Sequence, residues 1–302
     1  MPPSTSEFGR SRDRGVRRVL ALVLAQNLVV AAIKFLVGNR TGTLSLMADS
    51  LHALLDASSN VVGLIGIVIA SRPPDAGHPY GHRRFETLAA LTIGLFILSG
   101  LGGIAYGLWE GFAGDRRPPE VSWASAALVL GTIVANLAIS RYEAKRALEL
   151  KSALLEADAG HTMSDTFGAF AVLVSFGGLA LGFRSADSVG ALVVAVLVGR
   201  TAFRILSVNL GVLADHARLD PAEVRQAVLQ VPEVRGAHKI RSRGSADHTQ
   251  VDLHVHVDPT MSVARAHEVT HAVIAAVRAR FPEVADVIIH TEPADGRERD
   301  AT

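Results

Sequence analysis

Two apolar segments of the chain place a histidine four residues before an aspartate. They are His52 with Asp56 and His161 with Asp165, and each pair lies inside an apolar segment. Residues four apart share one face of a helix, so each segment would present an imidazole and a carboxylate in the same direction. Two such faces brought together would form a cage of two nitrogen and two oxygen ligands, which suits a tetrahedral Zn(II) ion.

The same residues also admit two other interpretations. They could be polar contacts that only hold a helix bundle together, or they could belong to an intramembrane enzyme. Inside the apolar segments the zinc-protease pattern H-E-x-x-H does not occur, and four protein ligands leave no position for the water that catalytic zinc needs. We predict a binding site and no enzymatic activity. Asp49 lies seven residues before Asp56 on the same face, and we place it behind the ligands or at the mouth of the site.

The elements that must position these residues are membrane helices. A spanning helix needs about 20 apolar residues. Six stretches qualify, and their approximate bounds are 17–38, 44–71, 86–110, 122–141, 152–183 and 186–207. Ionisable residues inside such spans are costly and are candidates for function. The sequence predicts an all-α transmembrane domain of six helices over residues 16–208, after a disordered cytoplasmic tail over residues 1–15.

The charges between the spans indicate an orientation. With six spans, the loops on the side of the two termini carry twelve Lys and Arg residues, and the opposite loops carry four. This excess places both termini in the cytoplasm. The formal net charge of +1 and the absence of cysteine argue against nucleic-acid binding, disulfides, thiolate metal sites and iron–sulfur centres.

The last 94 residues are polar and contain eight of the twelve histidines. Residues 250–257 alternate strictly between polar and apolar types, which predicts a half-buried strand. Strands are also predicted at 234–243 and 287–290, and helices are predicted from Asp220 and over 262–281. The order α-β-β-α-β predicts a small α+β domain over residues 209–293, followed by a disordered tail over residues 294–302.

A second group of possible ligands lies between the second and third spans. Asp75, His78 and His82 fall within eight residues, next to Gly77 and Gly81. One carboxylate and two imidazoles at this spacing can converge on one ion and would leave water on it. A solvated loop with incidental histidines is the alternative.

The chain resembles the cation diffusion facilitator family over roughly residues 15–293. Four motifs carry the resemblance in the expected order. They are Ala48–Asp56 in the second span, the loop Pro74–Ala89, His161–Asp165 in the fifth span and the strand Val287–His290. The resemblance implies a homodimeric antiporter of divalent cations and protons, in the inner (plasma) membrane, with a cytoplasmic ferredoxin-like domain.

The resemblance also implies three metal sites. The transport site falls on His52, Asp56, His161 and Asp165, and the loop site falls on Asp75, His78 and His82. The cytoplasmic dimer-interface site falls on His238, His254, His267, His290 and Glu292, with Glu where the family often has Asp. His256 could substitute there or face solvent. Arg84 and Asp215 match a charge pair that ties the two domains together. His216, His248 and His271 have no family match and are interpreted as exposed histidines.

The expected partners are the lipid bilayer, divalent metal ions, protons and a second copy of the chain. Zn(II) is expected both as substrate and as regulatory ion, and no organic cofactor is expected. His52 favours zinc, while Cd(II), Co(II), Fe(II) and Mn(II) stay open as substrates. A metal-sensing membrane scaffold with little transport is the alternative function.

Overall fold

A computed structural model describes residues 5–41, 44–113, 123–180 and 186–294 of the chain. Contacts between Cα atoms divide it into two compact units, Met1–Leu210 and Gly211–Thr302. The division falls next to the predicted boundary at residues 208 and 209, and each unit has its own apolar core. From residue 295 onward the predicted C-terminal tail lies outside the described residues.

The first unit consists of long helices in the six predicted segments. Their bounds are α1 Thr5–Thr41, α2 Leu44–Ala70, α3 Arg84–Ala113, α4 Trp123–Leu150, α5 Ala153–Ala180 and α6 Ala186–Leu213. Among the described residues, Ser11–Ile33, Arg84–Gly103 and Ala195–Leu213 are long and apolar enough to cross a membrane, and Ala57–Ala70 is a shorter apolar stretch.

In this unit, apolar side chains fill the space between the helices and also cover the outer surface of the helix bundle. Leu20, Ile67 and Ile93 are fully buried between helices, whereas Val196 and Phe203 are 64% and 74% exposed. Helices that are apolar all round are typical of membrane spans. The first unit is therefore built to be surrounded by lipid.

The α2 and α3 backbones approach each other closely at Gly66. A Cβ at this position would lie 2.4 Å from Cβ of Ala89, so the crossing accepts no side chain. This contact fixes the position of the second half of α2, the helix that carries two of the predicted transport ligands.

The predicted disorder of residues 1–15 is wrong from Thr5 onward, where α1 begins. Arg12 is 4% exposed and donates to both carboxylate oxygens of Glu86, at 2.8 and 2.9 Å. Asp13 accepts from Arg12 at 3.2 Å and from Arg83 at 2.7 Å, and Ser152 donates to Glu86 at 2.5 Å. The polar residues at the start of α1 are ordered because their partners lie on α3 and at the start of α5, which local sequence patterns do not show.

The second unit has the predicted αββαβ order. Its elements are α7 Pro221–Val228, β1 Gly236–Ser245, β2 His248–Val257, α8 Val263–Arg280 and β3 Val284–Pro293. As predicted, Asp220 caps α7, and its carboxylate accepts from the Ala222 amide at 2.9 Å. The sheet order is β1-β2-β3, with β1 antiparallel and β3 parallel to β2. This is the ferredoxin-like α+β arrangement.

The helices cover one face of this sheet. Along β2, Val251, Leu253 and Val255 are about 1% exposed and belong to the same core as Val269 and Val273 of α8. Because side chains alternate along a strand, the residues between them, among them His254, point to the opposite face. That opposite face carries the polar side chains described next.

Candidate metal centres

The loop between α2 and α3 brings Asp75, His78 and His82 together. One possible ligand atom from each lies within 4.8 Å of the others. Oδ1 of Asp75 is 3.3 Å from Nδ1 of His78, and Oδ2 of Asp75 is 3.4 Å from Nε2 of His82. We call these three residues the loop cluster; their side chains converge as predicted.

Backbone contacts hold the loop cluster in place. The Asp75 carboxylate accepts from the amides of Gly77 and His78 at 2.9 and 2.7 Å, which closes a tight turn. Gly81 adopts φ of +85°, a conformation that glycine permits at little cost. The ring of His82 is 5% exposed, and its Nδ1 is 3.2 Å from the Pro73 carbonyl oxygen. Nε2 of His82 is thereby directed at Asp75.

The carboxylate of the loop cluster is held in its ionised form, which is the form that binds a cation. The His78 amide hydrogen bond is the largest cause that lowers the pKa of Asp75, and the His78 and His82 side chains act in the same direction. A metal ion requires an ionised carboxylate and neutral imidazoles. The loop cluster therefore has three ligands that are close in sequence. Two of them, Asp75 and His78, are exposed, so an ion can enter and leave the cluster through them.

Half of the predicted transport site lies in the described part of α5. Nε2 of His161 is 3.9 Å from Oδ2 of Asp165, and the side chains are 13% and 30% exposed. A small side-chain rotation brings such a pair to the roughly 3.3 Å that separates two ligand atoms on a tetrahedral zinc ion. His52, Asp56 and Asp49 belong to α2, which contacts α5, but their side chains lie outside the described part of the structure.

A buried polar chain lies one helical turn before His161. Asn60 of α2 accepts from Asn27 of α1 at 2.9 Å and donates to Asp158 of α5 at 2.6 Å. Glu143 of α4 and Asp158 are fully buried, and their carboxyl groups interact. Sequence analysis missed Glu143, because it falls in a run of charged residues that is typical of a solvated helix end. These contacts fix α5, and with it His161, against α1, α2 and α4.

The register of the second unit's sheet aligns four predicted ligands. His238 of β1 lies opposite His254 of β2, and His254 lies opposite His290 of β3. His256 lies opposite Glu292. We call these five residues the sheet cluster. A single face of three adjacent strands therefore carries four imidazoles and one carboxylate.

Glu292 divides the sheet cluster into two groups. Its Oε2 is 3.2 Å from Nε2 of His238 and 3.2 Å from Nε2 of His256. Its Oε1 is 2.8 Å from Nδ1 of His254 and 3.6 Å from Nε2 of His290. Each group of three offers ligand atoms within 4.8 Å of one another. This geometry is that of a carboxylate placed between two metal positions, each with two imidazoles.

The electrostatic surroundings of the sheet cluster favour the protonation states in which its side chains can bind a metal ion. A hydrogen bond with His254 is the largest cause that lowers the pKa of Glu292. Burial is the largest cause that lowers the pKa of His238; Glu292 opposes it, and His256 and His254 add to it. The carboxylate is thus ionised and the His238 imidazole neutral near neutral pH, as metal binding requires.

The single chain decides the place of His256, whereas the place of His267 in a site at a dimer interface stays a prediction. His256 is 7% exposed and joins the cluster, so it does not face solvent. Within one chain, His267 joins neither of the two groups of three in the sheet cluster. It lies on α8, where its Nε2 is 3.1 Å from Nε2 of His271, a residue interpreted from the sequence as an exposed histidine. The signal for this pair was in the sequence, because residues 267–271 read His-Glu-Val-Thr-His.

The predicted charge pair of Arg84 and Asp215 joins residues of different units and stays a prediction. Within the second unit, Asp215 accepts from Arg243 at 3.5 Å.

Comparison with known proteins identifies similar sequences over almost the whole chain. The family model of the cation efflux transmembrane domain matches residues 20–214, and that of the cation efflux protein cytoplasmic domain matches residues 218–294. Metal tolerance protein C1 of Arabidopsis thaliana is 31% identical over 97% of this chain and 65% of its own length. The cation-efflux pump FieF of Klebsiella pneumoniae is 28% identical over 95% of this chain and 96% of its own length.

The second unit also matches solved structures. The MamM CTD is 30% identical over 24% of this chain and 90% of its own length, with a TM-score of 0.23.

Proposed function

Because the chain belongs to the cation efflux family, and so to the membrane transporters of divalent metal cations, we propose that it exports Zn(II) from the cytoplasm in exchange for protons. The observation that carries the proposal is the His161–Asp165 pair, an imidazole and a carboxylate 3.9 Å apart on one face of an apolar helix. His52 and Asp56 have the same spacing on α2 and complete a four-ligand site in this proposal.

The choice of zinc rests on the donor atoms. Imidazole and carboxylate are both common zinc ligands, and zinc accepts a tetrahedral set without preference from d-electrons. Harder ions such as Mn(II) favour oxygen ligands, and His52 and His161 reduce the share of oxygen in the site. Cd(II), Co(II) and Fe(II) are the competing substrates.

Proton exchange follows from the chemistry of the same ligands. Carboxylates must be ionised and imidazoles neutral when they bind a cation, so metal and protons compete for them. A site open to the outside releases metal as it takes up protons, and a site open to the cytoplasm does the reverse. An inward proton gradient then drives metal outward, provided that the helix bundle alternates between two arrangements.

We assign supporting roles to the other two clusters. The loop cluster, exposed at Asp75 and His78, is a site of rapid exchange near the cytoplasmic ends of α2 and α3. The sheet cluster holds up to two regulatory ions with Glu292 between them, in a domain through which two chains form a homodimer. Both termini are cytoplasmic and the membrane is the plasma membrane.

The growth of cells at toxic zinc concentrations distinguishes an exporter from the alternative, a metal-sensing scaffold with little transport. The sheet cluster, with five ligands outside the membrane spans, is the observation that favours a scaffold. Expression in a host without its own zinc exporters should restore growth at toxic zinc concentrations and lower cell zinc. A scaffold would bind zinc in the purified protein and leave cell zinc unchanged, which would overturn the proposal.

Glu292→Gln should weaken zinc binding by the sheet cluster at least about tenfold, because it removes the shared negative charge while it keeps the side-chain shape. The measurement is calorimetric titration of the full-length chain with zinc. Glu223→Gln is the matched control, since Glu223 is a half-exposed carboxylate of the same unit that lies 3.9 Å from Arg280. Equal zinc binding by both variants would argue against metal positions on either side of Glu292.

His52→Asp should weaken the preference for zinc over Mn(II) and Cd(II), because an oxygen replaces the more selective imidazole. Competition between these ions in a flux assay measures the preference order. His216→Asp, which alters an exposed histidine of the second unit, should leave the order unchanged. An unchanged order in both variants would show that His52 does not select the metal.

A further inference from the structure

Two fully buried carboxyl groups meet where α4 packs against α5. Glu143 of α4 and Asp158 of α5 are both 0% exposed, and their carboxyl groups lie within hydrogen-bonding range of each other. We call these two residues the carboxyl pair. Oε1 of Glu143 and Oδ1 of Asp158 are buried and have no hydrogen-bond donor among the described residues. Because an ionised carboxylate can only accept hydrogen bonds, a bond between these two oxygens requires a proton on one of them.

The other oxygens of the carboxyl pair accept from neutral groups. Oε2 of Glu143 accepts from the Thr162 hydroxyl at 3.3 Å, and Oδ2 of Asp158 accepts from the Asn60 side-chain amide at 2.6 Å. Ser59 of α2 also hydrogen bonds with Asp158. Neutral donors of α2 and α5 thus surround the pair, and each leaves one oxygen to face the other carboxyl group.

The charged groups on the neighbouring turns belong to other contacts. Arg146, one turn after the carboxyl pair on α4, forms an ion pair with Glu149. His161 on α5 and Asp56 on α2 are predicted ligands of the transport site, and α1 contributes the neutral side chain of Asn27 through Asn60. In these contacts, no lysine or arginine of the described part of the chain compensates the charge of the pair.

The physical cost of two ionised carboxylates in this position is large. Each buried charge loses its hydration, and two like charges side by side in a low-dielectric interior repel each other. Two carboxyl groups that face each other therefore do not both ionise near neutral pH. One proton removes one of the charges and replaces the repulsion with a charge-assisted O–H···O hydrogen bond, which is stronger than a neutral one.

We propose that Glu143 and Asp158 form a proton-binding site in which the two carboxyl groups share one proton. The proton is bonded to Oε1 of Glu143 or Oδ1 of Asp158, and the oxygen across from it accepts. The pair then carries one negative charge. Neither residue is a predicted metal ligand, and the site holds its proton whether or not the chain exports zinc.

The shared proton links α4 to α5 one helical turn before His161. Ser140 of α4 donates to the Ala159 carbonyl oxygen of α5 at 2.9 Å, so the two backbones are held together at the same level. Loss of the proton would leave two negative charges facing each other across this contact. The proton therefore positions the part of α5 that carries His161.

Infrared spectroscopy of the full-length chain in detergent, without added metal, tests for the proton directly. The C=O stretch of a protonated carboxyl group is resolved from the bands of carboxylates and peptide groups. At about pH 8 exposed carboxyl groups are ionised, because their ordinary pKa is about 4. The unmodified chain should still show the band of a protonated carboxyl group. Its absence would overturn the proposal without the use of any variant.

Two variants and a control assign the band. Glu143→Gln and Asp158→Asn each replace one carboxyl group with an amide of the same shape, whose N–H takes the place of the shared proton. Each variant should lose the absorbance of one protonated carboxyl group. Glu156→Gln alters a half-exposed carboxylate of α5 that pairs with Arg204, and it should leave the band unchanged.

The double variant Glu143→Gln, Asp158→Asn distinguishes a shared proton from two separate ones. It should lose no more absorbance than either single variant, because only one proton is present. A loss twice as large would show two separately bound protons, and no loss in either single variant would show two ionised groups; both results overturn the proposal. Size-exclusion chromatography checks that each variant is monodisperse. The readout involves no zinc flux, so it stands apart from the test of export.

Discussion

Asp165→Ala is expected to reduce zinc flux at least about 100-fold, because changes even to groups that only support a metal ligand cost 10- to 100-fold. The substitution removes the carboxylate that lies one turn after His161 on α5, at 3.9 Å from its Nε2. The remaining ligands would hold the ion more weakly and would couple fewer protons to it. Zinc flux into proteoliposomes measures the loss, and size-exclusion chromatography checks that the variant is folded.

Glu156→Ala is the matched control for Asp165→Ala. Glu156 is a carboxylate on the same helix, half exposed and paired with Arg204 at 2.9 Å. Its removal should leave zinc flux near that of the unchanged sequence, because exposed ion pairs contribute little. A flux that is preserved in Asp165→Ala, or lost equally in both variants, would contradict the assignment of the transport site.

Glu86→Ala should destabilise the first unit by about 3–5 kcal/mol, the usual cost of removing one partner from a buried ion pair. Glu86 accepts two hydrogen bonds from Arg12 and one from Ser152, and its side chain is 7% exposed. Without it, the guanidinium groups of Arg12 and Arg83 share the single carboxylate of Asp13. The measurement is the fraction of protein that stays monodisperse in detergent after heating.

Glu149→Ala is the corresponding control for stability. Glu149 forms an ion pair with Arg146 on the same helix, with side chains 43% and 32% exposed. Such pairs contribute about 0–1 kcal/mol, so this variant should stay monodisperse to nearly the same temperature as the unchanged chain. If Glu86→Ala were equally stable, the buried network would not hold α1 against α3.

The sequence predicted the elements of this protein well because its patterns are periodic. Long apolar segments mark the six helices, and the alternation over residues 250–257 marks the central strand. The loop cluster was also predictable, since its three ligands lie within eight residues and a tight turn suffices to bring them together.

Contacts between distant residues were less predictable. The place of His256 in the sheet cluster depends on the register that sets it opposite Glu292, and register is a property of strand pairing. The helical start of α1 depends on Arg12 reaching Glu86, 74 residues away. A local pattern contains neither fact, so the sequence alone left His256 undecided between a ligand and a solvent-facing residue and suggested disorder for Arg12.

The measurement that tests the central claim most directly is zinc flux into proteoliposomes under an imposed pH gradient. Zinc should accumulate when the lumen is more acidic than the outside, should move the other way when the gradient is reversed, and should carry protons in the opposite direction. Asp165→Ala should abolish both fluxes. Zinc movement that is independent of the gradient, or proton flux without zinc in the unchanged chain, would contradict an exchange of zinc for protons.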